Sequence, residues 1–436
     1  MALLQTIANI DEGQRPAESV ALRRLKILIV ALNYAPELVG CAKYTSELAE
    51  DLATRGHAVE VVTGPPYYPS WCVAPGYSGA RWSRGVLNSV AVHRTPLYVP
   101  QNPNSLNRLI HLGSFGAAAL PTATAVALKL KPDVVFAVAP TLAAAGAALA
   151  AAQVSGAASW LHIQDFEVDA AFDLGILKNR TGRAIALGLE GGLFRAFDRV
   201  SSISPAMVER LAAKGVPGNR IVQFRNWVDV DAVQVFASSN TRYRQDLGIP
   251  EDRIVALYSG NMAGKQGLEA LAGVAAGLRS ANAPVSLLLC GDGPARAALE
   301  AACKDMDTVH FLPLQPFERL SELLGTADIH LLPQRAEAAD LVLPSKLTGM
   351  LASARPVIAM AAEGTGLARE VDGCGLAVSP DAPAMTAAIL RLAADSDLRR
   401  TLGAAGRLRA ENHWQKNAII GDFEGKVSDL SCRPSK

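Results

Sequence analysis

The 436-residue chain is half hydrophobic and 19% charged, with 42 Lys and Arg against 41 Asp and Glu. That length exceeds one ordinary core and predicts two domains, and the composition suits a well-buried α/β protein while excluding extensive disorder. A formal net charge of +1 excludes a global field that would draw the chain to nucleic acid, so any basic surface is local.

Residues 1–22 carry Asp11, Glu12, Arg15 and Glu18 and lack an apolar core segment, so they read as a polar leader and not a signal peptide. Residues 26–31 (KILIVA) suit a central parallel strand. The loop NYAPELVGCAKY follows, then a helix with Leu48, Leu52 and Ala53 on one face, closed by Arg55-Gly56-His57. Residues 59–63 form the second strand of this βαβ unit. Gly40 sits in the loop after the first strand, where ligands of open α/β sheets bind. One glycine is not a dinucleotide fingerprint; it serves either close approach to a ligand or a bland tight turn.

Residues 64–85 are irregular and rich in Pro, Tyr, Trp and Gly. They suit a sugar or lipid acceptor surface, or a locally packed loop. Residues 109–130 predict a long apolar helix, with His111 and Pro121 inside it, that is either core or partly membrane-facing. The span 134–161 is free of charge and long enough to cross a bilayer. It is mostly alanine, however, and divides at Pro140 and Gly156 into strand 134–138, helix 141–154 and strand 157–163, which predicts buried packing.

That last strand ends on His162 and runs into Gln164-Asp165-Phe166-Glu167-Val168-Asp169. A lone histidine is commonly structural, but the strand end and the three carboxylates give His162 a candidate catalytic or substrate role. Nothing nearby supplies further ligands for a metal at Asp165, Glu167 and Asp169. Strand 200–203 precedes a helix opened by Ser204-Pro205, and strand 221–224 closes the first domain. Asp229 and Asp231 form a D-x-D pattern at the domain junction, outside any strand–loop context, and read as a turn rather than a metal site.

The βα rhythm then repeats. Strand 254–258 leads into SGNMAGKQG (259–267), whose glycines and Lys265 suit phosphate binding; the absence of G-K-[ST] excludes a Walker motif. Strand 285–290 ends in Gly291-Asp292-Gly293-Pro294, and a further strand covers 328–332. In DLVLPSKLTGMLASARPVIAM (340–360), Pro344 and Ser345 open a helix and Leu347, Met350, Leu351 and Ala354 form its apolar stripe. Its first amides with Lys346 beside them form an anion site, unless this is an ordinary capped αβ unit. Beyond about residue 382 the pattern is helical. The expected organisation is a leader at 1–22, a domain at 23–225, a linker at 226–242, a second domain at 243–410 and a helical tail at 411–436. The six scattered cysteines (Cys41, Cys72, Cys290, Cys303, Cys374 and Cys432) include no C-x-x-C pair, which predicts reduced, mainly buried thiols in a cytosolic protein.

YAPELVG, LAEDLATRGHAVEVVT, LHIQDFEVD, FRNWVDVD, YSGNMAGKQGLE, LLLCGDGPAR, ADIHLLP and VLPSKLTGMLASARPVIA, in that order and spacing, resemble the retaining glycosyltransferases of family four, most closely the colanic-acid or exopolysaccharide type. The resemblance covers nearly all of 25–425. It implies a GT-B fold of two Rossmann-like doubly wound domains around a cleft. By position, Gly40 matches the second glycine of the family's diphosphate loop, with Val39 replacing the first. His162 matches the histidine that contacts the transferred sugar. Lys265 falls one place before the usual basic residue, at Gln266, and Asn261 stands where arginine is general. The family's two glutamates would fall near Leu341 and Gly349. Glu337 or Asp340 stands in for the first, and Ser345, Lys346, Leu347 and Thr348 supply contacts at the helix start. Gly291 is expected near the nucleotide, and Asp165, Glu167 and Asp169 near the acceptor or sugar.

The implied reaction is transfer of a sugar from a nucleotide diphosphate sugar, with retention and with no metal required, to a lipid-linked saccharide. The expected location is the cytoplasm or the inner membrane face, as a peripheral protein, with no nucleic-acid partner. The resemblance favours a GDP-linked donor. Competing readings are a non-catalytic nucleotide-sugar-binding protein of the same fold, motivated by the missing glutamates, and a sugar-nucleotide epimerase.

Overall fold

A computed structural model of the chain describes residues 23–37, 40–139, 142–166, 180–237, 241–262, 266–335 and 344–431. The first half runs β1 (Lys26–Ala31), α1 (Cys41–Thr54), β2 (Ala58–Thr63), β3 (Ser83–Leu87), β4 (Val90–Arg94), α2 (Ser105–Leu130), β5 (Val134–Ala139), α3 (Leu142–Ser155), β6 (Ala158–Ile163), α4 (Arg180–Ala196), β7 (Arg199–Ser202), α5 (Pro205–Ala213) and β8 (Ile221–Gln223). These strands form one sheet in the order β3-β4-β2-β1-β5-β6-β7-β8. All neighbours pair in parallel except β3 with β4.

The second half runs α6 (Arg242–Asp246), β9 (Ile254–Ser259), α7 (Glu269–Ser280), β10 (Val285–Cys290), α8 (Arg296–Ala302), β11 (Val309–Leu312), α9 (Leu320–Thr326), β12 (Ile329–Leu332), α10 (Lys346–Ala352), β13 (Val357–Met360), α11 (Gly366–Val371), β14 (Gly375–Val378), α12 (Ala382–Ala394), α13 (Ser396–Trp414) and α14 (Lys416–Ser431). Its sheet is β11-β10-β9-β12-β13-β14, parallel throughout. In each sheet the strand order reverses beside the first strand of the unit, at β1/β5 and at β9/β12. The crevice beyond those carboxyl ends is where such sheets bind ligands.

Both sheets are covered on both faces, which is why their strands read as unbroken apolar runs. On one face of the first sheet Phe115, Ala119, Ala123, Ala144, Ala148 and Phe194 pack together. The charge-free span is part of this layer: β5 is wholly buried, and the alanines of α3 let α2 approach closely. A Cβ at Gly116 would lie 2.5 Å from that of Ala143.

Two features go beyond the sequence expectations. Strand β3 lies at the end of the segment read as irregular; it is an edge strand exposed along most of its length, so it lacks the apolar alternation that reveals half-buried strands. The helical tail also does not stand apart. Ile420, Phe423, Val427 and Leu430 of α14 join Ile27, Phe136 and Trp160 in the core of the first sheet, and the buried Glu424 holds His57 Nε2 at 2.8 Å. The chain thus returns to its first half after building the second. Asp229 Oδ1 accepts from the amides of Asp231 and Ala232, each at 3.1 Å, so this carboxylate caps a turn.

Candidate active site

The second sheet supplies a half-buried cation. Lys346 opens α10, and its Nζ donates to the Tyr258 hydroxyl at 2.8 Å and to Gln266 Oε1 at 3.1 Å. The ammonium lies 4.3 Å from the Tyr258 ring centroid, a cation–π contact. Tyr258 in turn donates to Asn261 O at 2.6 Å and faces Gln266 Oε1. These acceptors are all neutral, and among the described residues no carboxylate is paired with Lys346. Burial accordingly pulls its pKa down from 10.5 to about 8. A charge held this way, beside the ends of the central strands, is stabilised by an incoming anion.

Glycine makes room for it. Gly260 has φ +132°, and a Cβ there would stand 2.8 Å from Lys346 Cε. Gly291, at φ +154°, lies so close to the Gly260 carbonyl oxygen that a Cβ would come within 1.9 Å of it. The loops after β9 and β10 are therefore in backbone contact, with Asn261 exposed at their rim.

The other expected contacts of α10 are placed as follows. The Leu347 amide already donates to Pro344 O at 3.0 Å, and its side chain is core, so it offers neither a free amide nor a ligand contact. Thr348 is buried, with its hydroxyl on Ser345 O at 3.0 Å. An inward-facing helix position has no other acceptor, which is why this hydroxyl turns back on its own turn. Ser345 stays exposed.

His162, expected to contact the transferred sugar, is buried within the first half. It lies inside β6, on the same side as Trp160 and Gln164, because side chains alternate along a strand. The imidazole packs between the sheet and its helices, stacked on Phe136 at 5.9 Å and edge-on to Phe224 at 5.0 Å. Nδ1 is 2.9 Å from Ser201 Oγ, which also accepts from Trp160 Nε1, and Nε2 is 2.9 Å from Gln164 Nε2. Since the amide nitrogen donates, Nε2 is the acceptor and Nδ1 carries the proton. Burial holds the pKa down at about 3, so the ring is neutral. The adjoining cavity, lined by Tyr44, Phe136, His162 and Trp227 among others, is about 10 Å³, no larger than one water requires.

Gln164, also buried, lies just beyond the end of β6. It forms a reciprocal amide pair with Asn226, at 2.9 and 3.0 Å, tying the sheet edge to the segment between the two halves. Asp165 is exposed beside the start of α1, where burial and then this carboxylate push the Cys41 thiol up to about 12. Gly40 precedes α1 with φ +63° and ψ −139°, and a Cβ there would meet nothing within 4 Å. The bend, not crowding, is what calls for glycine.

The two halves meet at these loops. Tyr44 of α1 reaches the Ser345 hydroxyl and packs edge-on against Trp227 at 5.3 Å. Trp227 Nε1 donates to Glu47 at 2.6 Å, and Arg225 pairs with Glu370 at 3.0 Å. Glu37 accepts from the amides of Tyr67 and Tyr68 at 2.6 and 2.7 Å, pinning the aromatic segment over the loop after β1. Sequence reading passed over Glu37, Tyr44, Tyr258 and Trp227; only Gln266, through its register, carried any signal. Lys265, Glu337, Asp340, Glu167 and Asp169 lie outside the described residues.

Two doubly wound sheets, with strand-end loops converging on a half-buried lysine, define the GT-B class of nucleotide-dependent folds. Residues 39–227 match the glycosyl transferase 4-like domain, and 253–395 match the glycosyl transferases group 1 domain. The chain is 41% identical over 334 residues to a protein of Escherichia coli (strain K12) named as the colanic acid biosynthesis glycosyl transferase WcaI, covering 75% of this chain and 81% of that one. It belongs to the family-four glycosyltransferases. Among solved structures, sucrose-phosphate synthase from Thermosynechococcus elongatus shares the fold at a TM-score of 0.73 and 20% identity, over 93% of this chain and 99% of that one. Anabaena HepE, solved in complex with UDP and glucose, shares it at 0.66 and 15%, over 93% and 100%.

Proposed function

We propose that this glycosyltransferase moves a sugar from a nucleotide diphosphate sugar to a lipid-linked saccharide in exopolysaccharide biosynthesis, with retention of configuration, at the inner face of the cytoplasmic membrane. The likeness to the Escherichia coli colanic-acid transferase supports the pathway class, and the nucleotide complex of HepE supports the donor class. The observation that carries the reading is Lys346, an ammonium whose partners among the described residues, Tyr258 and Gln266, are neutral and lie by the loop after β9.

The chemistry needs such a group. As the glycosidic bond to the donor breaks, the leaving diphosphate gains negative charge and the anomeric carbon becomes cationic. A preorganised, desolvated cation lowers that barrier more than any single helix-end amide, because it undergoes no reorganisation during the step. Tyr258 and Gln266 hold Nζ in place and supply no compensating charge. The glycines at 260 and 291 keep the loops low enough for a diphosphate to approach. Tyr44 and Ser345 meet across the two halves, so closure of the cleft and completion of the site are one event. The neutral, fully bonded His162 acts in this reading through Gln164 and Asn226, by fixing the edge of the first sheet.

The test is transfer from a panel of nucleotide sugars, GDP-linked sugars included, to a lipid-extract acceptor, comparing wild type with Lys346→Met and Lys265→Ala. Loss of turnover in Lys346→Met is expected. Unchanged turnover there would overturn the assignment, and tight nucleotide binding with no turnover on any acceptor would favour a non-catalytic binding protein.

A further inference from the structure

Helix α2 carries an exposed face of unusual composition. Leu106, Leu109, Ile110, Leu120 and Leu128 are 66, 59, 48, 43 and 58% exposed. With the exposed Gly113 and Ala117 they form, from Leu106 to Leu120, one stripe at helical spacing, about 21 Å long at 1.5 Å per residue, and Leu128 lies on the same face two turns further on. Solvent-facing stripes of soluble helices are normally charged. This one carries charge only near its ends, at Arg108 and Lys129.

The surroundings share the bias. From residue 61 to residue 132 the chain contains no Asp or Glu, while Arg81, Arg84, Arg108, Lys129 and Lys131 are all exposed. Of the seventeen large apolar side chains exposed among the described residues, ten fall between Tyr68 and Leu128. Trp82, 61% exposed, is joined to the middle of α2 by its Nε1 bond to Thr122 at 3.2 Å. Tyr98, 45% exposed, is joined by its carbonyl to His111. An apolar stripe flanked by cations and amphipathic rings, with no acid nearby, is complementary to an anionic lipid headgroup layer.

The opposite face of α2 fixes the orientation. Phe115, Ala119, Ala123 and Ala127 are fully buried in the core with α3. The helix therefore cannot leave the domain to span a bilayer, although it is long and apolar enough. We propose that α2, with Trp82, Arg81 and Arg84 beside it, is the surface by which the protein lies on an anionic membrane. This deepens the lipid-linked acceptor reading by naming the surface that meets the lipid, and its evidence is independent of the donor site.

The experiment is co-sedimentation of the full chain with vesicles containing phosphatidylglycerol or made of phosphatidylcholine alone. Binding is expected only to the anionic vesicles and to weaken from about 0.1 M to about 0.5 M salt. Leu106→Ser/Leu109→Ser/Ile110→Ser should lose at least about tenfold in partitioning, and Arg81→Ser/Arg84→Ser/Lys129→Ser about fivefold per charge. Circular dichroism and nucleotide-induced thermal stabilisation, read on the same samples, should match wild type. Absent binding, equal binding to both vesicles, or a dimer abolished by the leucine variant would each overturn the proposal. Vesicle binding without any nucleotide-induced stabilisation would leave it standing and count against the donor-site reading instead.

Discussion

Two polar centres, His162 near the end of β6 in the first sheet and Lys346 beside β9 in the second, are built in opposite ways. His162 has both ring nitrogens bonded and a pKa held near 3. Among the described residues Lys346 has neutral partners only, and burial lowers its pKa to about 8. A group that has given up its charge and satisfied its bonds serves the fold. A group left charged in a desolvated place opposes the fold and is retained for what it binds. In the proposed reading the first centre serves the fold and the second stabilises the leaving group.

The strongest way to break this contrast is at Lys346. Lys346→Met should reduce transfer by roughly 10²–10³-fold, the cost of losing a preorganised group aimed at developing charge, measured as kcat/KM for the preferred donor. Next in size, His162→Ala should cost about 2–4 kcal/mol of stability, since it leaves a cavity and strips partners from Ser201 and Gln164. That is read as a lower denaturant midpoint, with donor affinity in the folded fraction within a few-fold of wild type. A large loss of affinity without a loss of stability would reverse the two roles.

The pH dependence sharpens the same comparison. Above about pH 8 the free enzyme loses the Lys346 ammonium, so affinity for a nucleoside diphosphate should fall by up to about tenfold per pH unit. Calorimetric titration from pH 7 to 9.5 checks this, and Lys346→Met should abolish the trend. The sign for stability is the opposite. The folded pKa lies below the ordinary 10.5, so between about 8 and 10.5 the unfolded chain binds more protons, and the nucleotide-free protein gains stability as pH rises. The smallest effect is expected from Tyr44→Phe, which removes the hydroxyl facing Ser345. A loss of about 1 kcal/mol should appear in KM for the donor, with circular dichroism unchanged.

Much of the architecture was legible because buried parallel strands advertise themselves: KILIVA and VSLLLC appear as strands at 26–31 and 285–290 with the bounds read from sequence. What stayed hidden depended on long-range contact. Nothing in GDFEGKVSDL tells that Phe423 and Glu424 return to the first sheet and meet Phe136 and His57. At the site, Lys346 was legible as a lysine at a helix start. Its partner Tyr258, eighty-eight residues earlier, reads simply as a strand residue. His162 was legible as a strand-end histidine, but its partners Ser201 and Phe224 come from later in the chain and could not be read from its own segment.

The most direct test of the central claim is a pair of thermal melts on Lys346→Met, with and without the nucleoside diphosphate that stabilises wild type most. Relieving a pKa depressed from 10.5 to about 8 removes a burden on the order of 3 kcal/mol at neutral pH, partly offset by two lost hydrogen bonds. The account predicts a free variant that melts above wild type and gains nothing from nucleotide. A variant that melts below wild type yet keeps the full nucleotide-induced shift would contradict it.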